Sequence, residues 1–151
     1  MPDGLYEHDV LAWSQHQADL LRRLGRGERV NDVDWTNVAE EIESVGLSEL
    51  HALESFLTRI LTHLLKLYVW PQSDASNHRR GEIVVFQAEA SRRFSPSMRQ
   101  RVDLAALYAI AAKQIRTTDP LLWVPADNPF TLDRLLQEDG DVLLNRLPRA
   151  A

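Results

Sequence analysis

The chain has 151 residues, 44% of them hydrophobic and 26% charged, with a net charge of −5. A chain of this length buries roughly two-thirds of its surface on folding, enough for one ordinary core. The absence of cysteine excludes disulfides and thiolate metal sites, and the negative balance argues against bulk attraction to nucleic acid or anionic membranes.

The unbroken apolar run from Leu104 to Ala112 is about half a membrane span, and the N-terminus carries no basic-then-apolar export pattern, so the expected location is the cytoplasm. Along the chain the apolar residues keep helical period and no segment alternates as a strand does. A first helix is expected from the N-cap Asp9 to Leu24, stopped by Gly25, with Tyr6, Val10, Trp13, Gln17, Leu20, Leu21 and Leu24 in one stripe. Asn31, Asp32 and Asp34 mark the loop that follows.

A long second helix is expected from Asn37 to Trp70. Val38, Ile42, Val45, Leu53, Phe56, Leu57, Ile60, Leu64, Leu67 and Tyr68 share a face, with Glu41, Ser44, Ser48, His51, Ser55, Arg59, Thr62 and Lys66 opposite. The period survives Gly46, although a break there is the alternative. After a reversal at Pro71–Ser76, a third helix runs from Asn77 to Phe94. A fourth starts at Ser95-Pro96 with Leu104, Leu107, Tyr108, Ala111 and Ile115 inward, and ends before Asp119-Pro120. A proline-rich strap anchored by Leu121, Leu122 and Trp123 leads to a short helix capped by Thr131 and ending near Glu138. The expectation is an all-α, antiparallel four-helix bundle forming a single helical domain over residues 1–151.

The segment Asp34-Trp35-Thr36-Asn37-Val38-Ala39-Glu40-Glu41-Ile42-Glu43, with Gly46 following, resembles the bacterial "domain of unknown function 29" family. Tyr6, Asp9, Trp13 and Gln17 upstream also fit, as do His63-Leu64-Leu65-Lys66, Ser95-Pro96-Ser97 and Asn128-Pro129-Phe130-Thr131-Leu132 downstream. Where such proteins carry a tryptophan after the proline turn, this chain reads Asn77-His78-Arg79-Arg80. The resemblance implies an all-helical fold and no particular activity.

Glu40, Glu41 and Glu43 lie in the first turns of the long helix, where the helix dipole favours carboxylates. The alternative is catalysis, with Glu40 and Glu43 as acid and base. No Glu-x-x-His or His-x-x-x-His spacing occurs, and no metal or other cofactor is expected. His63, about 30 Å along the helix from the glutamates, reads as a hydrogen-bonded residue at the edge of the core. Glu43 falls nearer the centre of the apolar stripe than Glu40 or Glu41, Gln17 is in mid-stripe, and Arg79 lies one turn before Ile83. Gln17, Glu43 and Arg79 are therefore expected to form a buried polar cluster, since a buried charge needs partners.

Residues 1–50 carry 4 basic and 11 acidic side chains, whereas residues 76–117 carry 8 basic and 3 acidic. The basic set is Arg79, Arg80, Arg92, Arg93, Arg99, Arg101, Lys113 and Arg116. Three functional readings follow. The first is a helical protein acting through protein–protein contact, as a homodimer or accessory subunit, with Trp35, Trp70, Trp123 and Phe130 contributing to an apolar patch. The second is an enzyme with a pocket around Glu40, Glu43, Gln17 and Arg79. The third is a nucleic-acid binder using the arginine-rich half.

Overall fold

A computed structural model describes residues 4–150, and among them every regular element is helical. The helices are α1 (Leu5–His8), α2 (Val10–Gly25), α3 (Trp35–Val69), α4 (Ser76–Arg93), α5 (Leu104–Thr118), α6 (Leu132–Gln137) and α7 (Gly140–Asn145), with a 3₁₀ turn at Pro96–Gln100. The all-α class stands. The helix count exceeds the expectation by α1 and α7, short pieces of four and six residues with little periodicity to read. The chain groups into two compact units, residues 1–47 and 48–151, and α3 continues unbroken through Gly46.

In the first unit Asp9 caps α2 by accepting a hydrogen bond from the Ala12 amide at 3.0 Å. The helix runs one residue past the expected end and includes Gly25. Gly27, at φ 84°, takes the left-handed position that closes the C-terminus, and its amide bonds the Leu24 carbonyl at 2.9 Å. Asp34 caps α3 through the Asn37 amide at 3.3 Å. The hydrophobic core of this unit is thin, consisting of Trp13, Leu20 and Val38 below one-tenth exposure.

The second unit has a full core. Leu53, Leu57, Ile60, Leu61, Leu64 and Leu65 of α3 are wholly buried against Ile83 and Ala90 of α4, Tyr108, Ala111 and Ile115 of α5, Leu135 of α6 and Leu143 of α7. Thr62, expected on the outer face, is also buried. Over this stretch α3 is apolar nearly all round, as a central helix must be when neighbours cover several of its sides.

Ser95-Pro96 opens the 3₁₀ turn rather than the fourth helix. That helix starts at Leu104 under the cap Asp103, which accepts from the Ala106 amide at 3.1 Å. Two good helix-start signals lie eight residues apart here, and the second is the one that caps an α-helix. Thr131 caps α6 as expected. Of the anchors read from its hydrophobicity, Leu122 packs partly buried against the core, but the strap is pinned chiefly by other residues. Val124 and Phe130 are buried, Leu121 is 96% exposed and Trp123 50%. Tyr108 Oη donates to the Pro125 carbonyl at 2.7 Å, so a buried core hydroxyl finds its acceptor on the strap. Gln87 ties α4 to the end of α6 by donating to the carbonyls of Leu135 and Glu138 at 2.9 and 2.7 Å.

Candidate functional site

The loop before α3 and the first turns of α2 and α3 carry a dense polar network. Asp34 accepts from Trp13 Nε1 at 3.1 Å and from Asn37 Nδ2 at 2.8 Å, while its own amide donates to Gln17 Oε1 at 2.8 Å. Gln17 is 2% exposed, and these bonds satisfy a polar group that would otherwise be costly to bury. The bonds from Asn37 and Trp13 hold the Asp34 carboxyl below its usual value. Tyr6 packs edge-on against the Trp13 ring at 4.8 Å and donates its hydroxyl to Glu41 Oε1 at 2.6 Å. That hydrogen bond to a carboxylate pushes the Tyr6 phenol up to about 12.

Two of the expected cluster residues behave differently from expectation. Glu43 is exposed and makes no hydrogen bond or ion pair among the described residues, which overturns its placement in a buried cluster. The reason is geometric. Nearness to the apolar stripe implies burial only where that stripe is covered, and beside Glu43 the stripe residues Ile42 and Val45 are 67% and 69% exposed. Glu40 is exposed as well, so no acid–base pair converges there. The engaged carboxylates are Glu41 and Asp34. Arg79, in the second unit, lies 5.9 Å over the Trp70 ring and its Nη1 is buried without a hydrogen-bond partner. Tyr6, Trp13, Asp34, Asn37 and Glu41 were readable from the family-like segment, but only as matching letters without roles.

Beside the network, α2 and the first half of α3 leave an open groove of about 490 Å³ lined by Trp13, Ser14, Gln17, Ala18, Leu21, Val38, Glu41, Ile42 and Val45. Val10, Leu11 and Trp35 extend apolar surface on the same helices, at 55%, 66% and 63% exposed. Gly46 follows on α3. A methyl group there would meet nothing within 4 Å, so no close crossing within the chain accounts for a residue that costs about 1 kcal/mol of helix propensity.

The arginine-rich segment is half paired within the second unit. Arg99 forms a two-pronged pair with Asp133 at 2.9 and 3.0 Å, Arg80 meets Asp141 at 3.0 Å, and Arg92 and Arg93 both meet Glu89. Arg101, Lys113 and Arg116 have no ion pair among the described residues. Four of the eight basic side chains are thus paired within the chain, and Arg79 lies over the Trp70 ring.

His63 is hydrogen-bonded to Glu82, which also meets His78 Nε2 at 3.1 Å. The bond from His63 keeps the Glu82 carboxyl below the usual range. The two imidazoles take different oxygens of one carboxylate, and among the described residues no group of three His, Asp or Glu side chains is placed to hold a metal ion. Of the four aromatics, some of which were expected to reach the surface, Trp35 and Trp123 are exposed, Trp70 is half-buried and Phe130 is core. No described helix is long and apolar enough to cross a membrane.

Comparison with known proteins agrees with the helical fold. A crystal structure of an alpha-helical protein of unknown function from Rhodospirillum rubrum is 28% identical, with a TM-score of 0.72 over 95% of this chain and 98% of that one. No curated protein matches. The model of the family described as "Domain of unknown function DUF29" matches residues 5–140, which include the Asp34 network, both walls of the groove and nearly all of the second unit, and the chain belongs to that family.

Proposed function

We propose that the protein acts through contact with another polypeptide, and that the groove between α2 and the first half of α3 is the docking surface. One observation carries this reading. Ile42 and Val45 stand 67% and 69% exposed along a groove whose remaining lining is mostly apolar, beside side chains that are locked in place. Exposed apolar surface of this kind on a folded protein marks interaction sites. The family-like residues fit such a role as fasteners. Asp34, Gln17, Trp13, Tyr6 and Glu41 tie the groove walls together, and their polar groups are used up in one another. Glu40 and Glu43 are exposed and make no hydrogen bond to that network among the described residues.

Photo-cross-linking in the native host tests this. A benzoylphenylalanine in place of Val45 should trap one dominant polypeptide. The same group in place of Ile110, which is 56% exposed on α5 of the second unit, should trap it weakly or not at all. Equal, diffuse labelling from both positions would contradict the proposal.

A further inference from the structure

Resting on that reading, we infer that the occupant of the groove is a cationic amphipathic helix of a different protein. Geometry sets the shape. Val38, Ile42 and Val45 are spaced i, i+4, i+7 along one wall, and Trp13, Gln17 and Leu21 are spaced i, i+4, i+8 along the other. The lined stretch, Trp13 to Leu21, is about 12 Å long at 1.5 Å per residue. A helix presenting apolar side chains at i, i+3 or i+4, and i+7 covers that length, and laying its apolar face between α2 and α3 completes a three-helix layer that two helices alone leave open. Gly46 leaves the exposed side of α3 free of side chain where the partner's backbone passes.

Charge sets the sign. No lysine or arginine occurs from Met1 to Leu21 or from Val30 to Thr58, so both groove walls are without cations. Glu41 lines the groove, and Asp19, Glu40 and Glu43, exposed elsewhere on the same two helices, add to a balance of nine acidic against four basic side chains over residues 4–47. The four arginines of this unit all follow α2's groove-lining stretch; Arg23 and Arg26 are paired to Glu28, whereas Arg22 and Arg29 have no ion pair among the described residues. A second copy docking by the same groove would set acidic surface against acidic surface. A nucleic acid or anionic membrane would meet repulsion of the same kind. A helix with lysines or arginines flanking its apolar stripe meets attraction from Glu41 and from the net negative charge of this unit.

The test uses the full chain and three synthetic peptides: an amphipathic leucine–lysine helix, the same pattern with glutamate for lysine, and a leucine–lysine scramble without an apolar face. Binding is read by anisotropy of the labelled peptide and by amide shifts in α2 and α3. The leucine–lysine helix should bind with shifts confined to the groove. Ile42→Asn/Val45→Asn should weaken it about tenfold or more, and Glu40→Gln/Glu43→Gln, or added salt, several-fold. Circular dichroism and the melting temperature check that the variants fold, and the two carboxylate changes, both exposed, serve if the apolar pair does not. Equal binding of the glutamate peptide would overturn the cationic assignment while leaving the groove a docking site. Binding of the scramble, or binding indifferent to Ile42→Asn/Val45→Asn, would overturn it by showing attraction to acidic surface in general. No peptide binding, together with self-association abolished by Ile42→Asn/Val45→Asn, would assign the groove to a second copy. No binding and no self-association would remove both the inference and the docking reading.

Discussion

In the second half of α3, Leu53, Leu57, Ile60, Leu61, Leu64 and Leu65 have no exposed surface, whereas in the first half Ile42 and Val45 are about two-thirds exposed. Both halves carry apolar residues at helical spacing on one continuous helix. What differs is the supply of neighbours. The second unit sets α4, α5, α6, α7 and the strap residues Val124 and Phe130 against its stretch of α3, while the first unit has one long helix, α2, to set against its own. An apolar stripe shows what a helix can bury. Whether it is buried within the chain depends on how many other amphipathic elements the chain spends there.

The largest expected effect sharpens that contrast. Leu61→Ala should cost on the order of 2–5 kcal/mol, since deleting a wholly buried side chain adds a cavity to the lost transfer energy. Ile42→Ala, at 67% exposure, should stay within about 0.5 kcal/mol. Urea denaturation of the two variants measures both. Equal losses would mean that Ile42 is covered in the folded protein and that the comparison fails.

An intermediate effect is expected at the fastening of the groove. Gln17→Leu keeps the bulk of the side chain but removes the acceptor of the Asp34 amide, and should cost on the order of 1–3 kcal/mol. The loss should fall on residues 4–47, visible as a red shift of Trp13 emission before global unfolding. An unchanged spectrum and midpoint would show that the network holds nothing together.

How far the sequence could be read follows the same division. The long helix through Gly46, the caps Asp9 and Thr131, and the leucine core after Leu50 were legible, because period and capping act locally. Glu43 was misplaced because its angular position on α3 was clear while the covering of that face was not, and coverage is a tertiary fact. Phe130 and Val124 were missed as strap anchors for a similar reason. In a segment with three prolines there is no period to say which apolar residue turns inward, and Leu121, as apolar as any, is 96% exposed. At the site, Gln17 was legible as a buried polar group, but its partner is a backbone amide, which no side-chain pattern announces.

Titration separates the two units by the groups that hold them. In the second unit, bonds from His63, Arg93 and Arg146 respectively lower the carboxyl pKa values of Glu82, Glu89 and Glu138 from 4.5. A depressed folded value means that the stability these bonds give is fully present above about pH 4.5 and lost as pH falls through the lower folded values. Glu82→Gln should therefore flatten part of the acid limb of a stability–pH curve, and an unaltered limb would exclude the His63 contact from it. In the first unit Asp34 is lowered in the same way by Asn37 and Trp13, but a phenol there adds a contribution of opposite sign. Tyr6 is raised from 10.0 to about 12 by Glu41, so its contribution is complete below pH 10 and lost as pH rises through about 12. Tyr108 is raised to a similar value by burial. Ultraviolet titration should show two of the three phenols ionising late, and Tyr6→Phe should remove one of them.

The smallest effects belong to exposed ion pairs. Replacing Arg80, whose partner Asp141 is 70% exposed, should leave the denaturation midpoint within experimental error, because solvent screens such pairs and holding them costs side-chain entropy.

Native-state hydrogen exchange along α3 tests the contrast between its halves most directly. Amides from Leu53 to Leu67 should exchange only through global unfolding, whereas those from Val38 to Gly46 should open locally with protection lower by orders of magnitude, in step with the amides of α2. Uniform protection from Val38 to Leu67 would contradict the division into a complete core and an open groove.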